Sequence, residues 1–187
     1  MNLPSVNKPL CFTLLYCAIT IFVPKANALP DDRNQPIEVQ ANSAERDAKT
    51  GVTTYSGNVD IRQGSIHISA ASVVLKNDQN DELSTIVAKG SPAHYEQQIT
   101  SAEDRVQAVG NTINYRVKDD MIILEQNASV EQKGSIIKGE HIEYDVKSER
   151  VTAQGAQKGS SDSSKRITVI IPPNKSTSTK KTEEKAQ

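Results

Sequence analysis

The sequence predicts an all-β protein in which antiparallel strands build a rolled or sandwiched sheet around a narrow aliphatic interior. Three observations predict it. Residues 53–75 alternate with period two: Tyr55, Gly57, Val59 and Ile61 share one parity, Gln63-Gly64-Ser65 turns the chain, and Ile66, Ile68 and Ala70 alternate on the way back. Between Pro36 and Pro172 only Pro92 interrupts the chain, and proline is the residue that central strands exclude. The same phrase also occurs four times. Ile66, Ile68, Ala70, Val73 and Leu75 correspond to Ile37, Val39, Ala41, Ala44 and Arg46, to Val106, Ala108, Gly110, Ile113 and Tyr115, and to Ser135, Ile137, Gly139, Ile142 and Tyr144.

Each copy contains a phase slip. The apolar set runs 66, 68, 70 and resumes at 73 and 75, which moves it to the other face of the ribbon. Chains do this at a bulge or corner, where a strand leaves one sheet and enters the next. The pivots are all small: Ala41, Ala70, Gly110 and Gly139. A tight corner leaves no room for more.

Taken in order, the chain opens with a leader. Residues 10–23 form an apolar run behind Lys8, too short to span a bilayer as a helix, and Ala26-Asn27-Ala28 is a small-x-small cleavage site. Residues 1–28 read as a secretory signal peptide cut after Ala28. A lipoprotein would need a small residue before Cys17, where Tyr16 stands. Both cysteines, Cys11 and Cys17, and both phenylalanines, Phe12 and Phe22, lie in the leader, so the exported chain is built without disulfides. Cutting there takes Lys8 and Lys25 from the 22 basic residues and none of the 23 acidic ones, and the net charge moves from −1 to −3. No concentrated basic face points to nucleic acid.

Residues 29–35 are a polar lead-in, and residues 36–173 are one β domain. Polar turns fall at residues 47–51, 118–120 and 147–149, with longer polar loops at 77–82 and 97–105. Ile86, Ala88 and Gly90 precede Ser91-Pro92. Lys133-Gly134-Ser135 echoes Gln63-Gly64-Ser65, and Val151, Ala153 and Gly155 close the fourth copy. Ile167, Val169 and Ile171 make a last short strand, stopped by Pro172-Pro173. Residues 174–187, rich in Ser, Thr, Lys and Glu, have nothing to bury and read as a disordered tail.

Catalytic chemistry finds little support in the sequence. His67, His94 and His141 each stand alone, without a neighbour at metal-ligand spacing. Glu140 and Glu143 flank His141, but neighbours along a strand point to opposite faces. Nucleophile elbows, phosphate loops and dinucleotide fingerprints are absent. Tyr55, Tyr95, Tyr115 and Tyr144 fall on the apolar parity, which suits a core better than a sugar platform. The reading is of a non-enzyme that needs no metal and no cofactor.

What remains is shape. An aliphatic groove in an exported protein suits an aliphatic ligand. Sheltering one acyl chain of about twelve carbons is worth on the order of 8–10 kcal/mol, at about 0.8 kcal/mol per methylene. The alternatives are an interior that packs on itself, as in most sandwiches, and a structural or adhesive β-solenoid whose four copies coil in parallel around a filled core.

Several short stretches carry a resemblance: Gln35-Pro36-Ile37-Glu38-Val39, Ser56-Gly57-Asn58-Val59, Gln63-Gly64-Ser65-Ile66-His67-Ile68, Gly90-Ser91-Pro92-Ala93, Ile142-Glu143-Tyr144 and Val169-Ile170-Ile171-Pro172. In this order, and behind a signal peptide, the chain resembles the OstA-like family of lipopolysaccharide export proteins from Asn34 to Pro173. The resemblance implies a periplasmic, elongated, twisted β-jellyroll of stacked antiparallel strands with an apolar groove. It implies a bridge that carries lipopolysaccharide from the inner-membrane transporter to the outer membrane, with lipid A acyl chains in the groove. Copies would join end to end, and the jellyroll domains of inner-membrane LptC and outer-membrane LptD would dock at the two ends. The groove would be lined by Ile37, Val39, Ala41, Ile66, Ile68, Val73 and His94, the last at a position the family usually gives to phenylalanine. The assembly edges would hold Ile37 and Val39 at one end and Val151, Ile167, Val169 and Ile171 at the other. The cleavage site at Ala26-Asn27-Ala28 argues against the membrane-anchored LptC branch.

Overall fold

A computed structural model of the chain describes residues 32–100, 104–155 and 166–173. The leader over residues 1–28 and the tail over residues 174–187 lie outside the described residues. A 3-10 turn, η1 (Asp32–Asn34), precedes ten strands: β1 (Glu38–Gln40), β2 (Ser43–Asp47), β3 (Val52–Gln63), β4 (Ile66–Asn77), β5 (Leu83–Gln98), β6 (Arg105–Arg116), β7 (Met121–Gln132), β8 (Ser135–Asp145), β9 (Arg150–Gln154) and β10 (Thr168–Ile170).

All ten lie in one open antiparallel sheet. β3 to β8 are neighbours in chain order, with β1 and β2 along β3 at one edge and β9 and β10 along β8 at the other. A parallel solenoid is thereby excluded, because every pairing is antiparallel. The tight turns force this: a two-residue connection such as Gly64-Ser65 can only join antiparallel neighbours.

A line of register shifts crosses the sheet and folds it in two. It runs through Ser56/Val59, Ser69/Ser72, Lys89/Ala93, Val109/Thr112 and Glu125/Ala128. One layer holds β1, residues 59–63, 66–70, 93–98, 105–110, 128–132 and 135–139, and β10. The facing layer holds β2, residues 52–56, 72–77, 83–89, 112–116, 121–125 and 141–145, and β9. At the fold line the inward residues of β4, β5, β6 and β8 change parity, while those of β3 and β7 keep theirs. Ile66 and Ile68 give way to Val73, and Val106 and Ala108 give way to Ile113 and Tyr115. The pivots predicted at Ala70, Gly110 and Gly139 sit on this line. At Gly139 a Cβ would stand 2.9 Å from the Gln154 carbonyl oxygen, so the corner is tight in fact. At Ala41 the strand breaks outright, and β1 and β2 pair with the two halves of β3.

The core lies between the layers. Val59, Ile61, Ile68, Val73, Ala88, Tyr95, Ile113, Tyr115, Leu124, Ile142 and Tyr144 are all buried there, with half-buried Val39, Val151 and Ala153 extending it towards both edges. Residues separated as Ile86-Ala88 and Ala93-Tyr95 in the sequence belong to one strand, β5, bent at Gly90-Ser91-Pro92, where the Ser91-Pro92 bond is cis.

The candidate groove, its rims and its edges

Of the residues expected to line the groove, Ile66, Ile68 and Val73 point inward and are buried. Val39 is half-buried against the same core. Ile37 is 36% exposed, just outside β1. Ala41 and His94 differ from expectation. Ala41 is exposed in the break between β1 and β2. His94 is exposed on the outer face, where it shares a shallow depression of about 250 Å³ with His67, Ser69 and Gln107. The reason is the corner. Three residues of β5, Gly90 to Pro92, stand opposite the single Asn111 of β6, and this resets the phase so that Ala93 and Tyr95 turn inward.

The histidines are less isolated than the sequence suggests. His67 Nε2 lies 2.5 Å from Asp60 Oδ2, and Arg62 holds the other oxygen of the same carboxylate at 3.0 Å. Burial pushes the Asp60 carboxyl up, but the hydrogen bond and charge of His67, joined by Arg62, outweigh it and hold the group below its ordinary value. His141 Nε2 meets Glu143 Oε1 at 3.2 Å, because residues two apart share a face. All of these groups sit on the outside of the layers. Among the described residues, no three His, Cys, Asp or Glu side chains gather in a way that could hold a metal ion.

The interior is aliphatic apart from a row of tyrosines whose hydroxyls reach the open rim. Tyr95 donates to Gln97 Oε1 at 2.7 Å, Tyr115 to Asp120 Oδ1 at 3.5 Å, and Tyr144 to Gln132 Oε1 at 3.4 Å. Burial pushes all three phenols up, Tyr144 to about 12.

The rims are the turns at the open side of the fold, opposite the corner line, and polar side chains tie them together. Lys133 and Gln132 of one layer donate to Glu149 Oε2 of the other at 2.9 and 3.0 Å. Residues 32–35, read from sequence as the end of a polar lead-in, make a second tie. Asp32 is only 4% exposed. It accepts from Ser65 N–H at 2.6 Å, Ser65 Oγ at 2.8 Å and Gln97 Nε2 at 2.9 Å. Gln63 donates to the carbonyls of Arg33 and Gln35 at 3.3 and 3.1 Å. Arg33 then crosses to Asp120 on the facing rim at 3.3 Å. Gly64 fits this arrangement twice over: its φ is +58°, and a Cβ there would run into the Asp32 carboxylate.

The two ends of the sheet differ. β1 and β2 form one edge. At the other, Val151 lies half-buried in β9, while Ile167, Val169 and Ile171 around β10 are 50%, 51% and 76% exposed. β10 pairs with residues 136–138 of β8, and no further strand follows it in the sheet among the described residues.

The chain is an open antiparallel sheet folded over an aliphatic interior, with no further strand paired at either edge among the described residues, an architecture of the β-jellyroll kind. Residues 38–150 match the family model described as "LptA/(LptD N-terminal domain) LPS transport protein". The lipopolysaccharide export system protein LptH of Pseudomonas aeruginosa is 42% identical over 152 residues, covering 80% of this chain and 86% of that one. The corresponding LptA proteins of Haemophilus influenzae and Escherichia coli are 35% and 30% identical, covering 79% and 92% of this chain and 83% and 87% of theirs. The crystal structure of P. aeruginosa LptH, described as a periplasmic component of the lipopolysaccharide transport device, superposes with a TM-score of 0.69 at 41% identity, over 77% of this chain and 100% of that one. The chain belongs to the LptA-like family of lipopolysaccharide export proteins. The family's role is transport rather than enzymatic chemistry.

Proposed function

We propose that this protein is a periplasmic bridge component that holds lipid A acyl chains between its two layers and hands lipopolysaccharide along from the inner-membrane transporter towards the outer membrane. The observation that carries the proposal is the continuity of the aliphatic interior, from Val39 in β1 through the buried residues of β3 to β8 to Val151 and Ala153 in β9. A core of this kind presents apolar surface along its whole length, and each methylene it shelters contributes about 0.8 kcal/mol. Residues 1–28 would direct the chain to the periplasm and be removed after Ala28.

The edges supply the second part. A strand edge offers a row of unpaired donors and acceptors. The β1/β2 edge and the β9/β10 edge are different surfaces, so copies would join head to tail into an open filament. Strand addition at such a joint would make the interior continuous from copy to copy. The jellyroll domains of LptC and LptD, built on the same plan, would occupy the terminal edges.

Titration of the delipidated protein with lipopolysaccharide tests the proposal. Saturable binding supports it. A protein that takes up no lipid while keeping its β circular dichroism signal would instead favour an interior that packs only on itself.

A further inference from the structure

We propose that the joint between copies has a single register, in which every cross-strand row of one copy runs on into the next: Val169 of β10 faces Val39 of the next copy, and Arg150 of β9 faces its Asp47. The proposal rests on the reading that copies join head to tail. It adds which residues meet and what sets the direction.

Each of these pairs consists of the two ends of one row. Val39 faces Ile61, the row crosses Ile68 and Tyr95, and it leaves through Ile137, which faces Val169. In the facing layer the row starts with Asp47 opposite Val52 and ends with Arg150 opposite Asp145. A copy added in the same orientation also brings β1 and β2 antiparallel to β10 and β9, so the ladder continues by its own rule. A slip of one residue would turn Val39 and Val169 to the outer face. A slip of two is stopped by the corner, because β1 and β2 are the halves of one run broken at Ala41 and must meet β10 and β9 together.

The side chains at the two edges complement each other in this register. Among the described residues the large apolar side chains left exposed are Ile37, beside β1, and Ile167, Val169, Ile170 and Ile171, in or beside β10. Continuing the rows sets Ile171 against Ile37 and leaves small Ala41 opposite Ile167. The charges divide the same way. Arg33, Arg46, Arg62, Arg105 and Arg116 form ion pairs within the copy. Arg150 and Arg166, both at the β9/β10 end, form none among the described residues. Arg150 does stand opposite Asp145, but that carboxylate accepts from Ser148 N–H at 3.0 Å, and the neighbouring Glu149 is held by Lys133. At the other end Glu38 and Glu45 have no cationic partner among the described residues. Asp47 uses Oδ1 to accept from the Lys49 and Thr50 amides, and its Oδ2 has no partner among the described residues. Two β1/β2 edges brought together would set carboxylates against carboxylates, which is destabilising, so the charges favour the head-to-tail direction.

The test has two arms, both read on the chain without its leader. In the first, light scattering compares the self-association of wild type, Arg150→Glu, Asp47→Lys and an equal mixture of the two variants. Each variant alone sets like charges at the joint and should associate about three- to tenfold more weakly, the range open to an exposed pair. The mixture presents opposite charges at every joint and should return to the wild-type constant. The differences should shrink in about 0.5 M salt, where exposed charges are screened. In the second arm, paired cysteines are oxidised with diamide. Cys11 and Cys17 both lie in the leader, so introduced pairs are the only thiols present. Glu45→Cys with Thr152→Cys, which face each other in the proposed register, should give a ladder of covalent multimers. Ala44→Cys with Thr152→Cys, one residue out of register, should stop at dimers. Equal association of all proteins, a mixture no stronger than its components, or a ladder from the second cysteine pair instead of the first would overturn the register while leaving head-to-tail growth standing. A wild-type chain that stays monomeric across a hundredfold concentration range would remove the head-to-tail reading itself.

Discussion

Tyr95 of one layer and Tyr115 of the other meet edge to face across the interior, with ring centroids 5.7 Å apart and planes at 63°. The contact marks where the folded sheet closes on itself, and each phenol donates a hydrogen bond to a rim residue. Burial favours the neutral phenol here and at Tyr144, as the raised values of all three show.

A pH dependence follows from this row. An unfolded tyrosine ionises near pH 10. Folded Tyr144 ionises at about 12. The unfolded state therefore loses its proton first, and the stability that the neutral phenol contributes is complete below pH 10 and is lost as pH rises towards 12. The urea midpoint should be flat around pH 8–9 and fall across that window. Tyr144→Phe should make the fall shallower, and an equal slope in the variant would remove Tyr144 from the account.

Ile37 tests the mouth of the groove. Its partial exposure means that a charge can be placed there without being buried in the core. Ile37→Asp should therefore keep the β circular dichroism signal and weaken lipopolysaccharide binding about tenfold or more, since a carboxylate strips the ligand of an apolar wall. Unchanged affinity would take Ile37 out of the site.

Val169 tests the assembly edge. It lies in β10 opposite Ile137 and is half exposed. Val169→Pro removes a main-chain donor at the edge of the sheet and should leave the thermal midpoint of the body unchanged. Light scattering across a hundredfold concentration range should show open-ended oligomers for the wild type and a shift to monomer for the variant. A single dimer mass throughout, in both proteins, contradicts head-to-tail growth.

Gly139 tests the corner. A Cβ would stand 2.9 Å from the Gln154 carbonyl, a backbone atom of the edge strand β9. Gly139→Val should cost roughly 1–3 kcal/mol in urea denaturation, the usual range for overpacking. A neutral result would show that the fold line has slack.

The fold line was legible because its residues repeat. The slip from Ile66, Ile68 and Ala70 to Val73 and Leu75 is visible in the letters, and the structure places the corner there. His94 shows where such reading stops. Parity after a bulge depends on how many residues the corner absorbs, and nothing in Gly90-Ser91-Pro92 states that three will face one. The turn lengths could have excluded the solenoid, because two-residue connections admit only antiparallel pairs. The tie made by residues 32–35 was not legible at all. Asp32 bonds Ser65 and Gln97, and Arg33 bonds Asp120, at separations of 33 residues and more, and a polar segment before the first strand carries no local sign of such partners.

The claim that acyl chains lie between the layers is tested most directly by paramagnetic broadening. Lipopolysaccharide carrying a spin label on an acyl chain would be added to protein labelled at the methyl groups of Ile, Leu and Val. The account predicts saturable broadening of Ile68, Val73, Ile113 and Leu124, which are buried between the layers, with the exposed methyls of Ile170 and Ile171 affected far less. Broadening confined to those exposed methyls, with the four interior residues untouched at saturation, would contradict it.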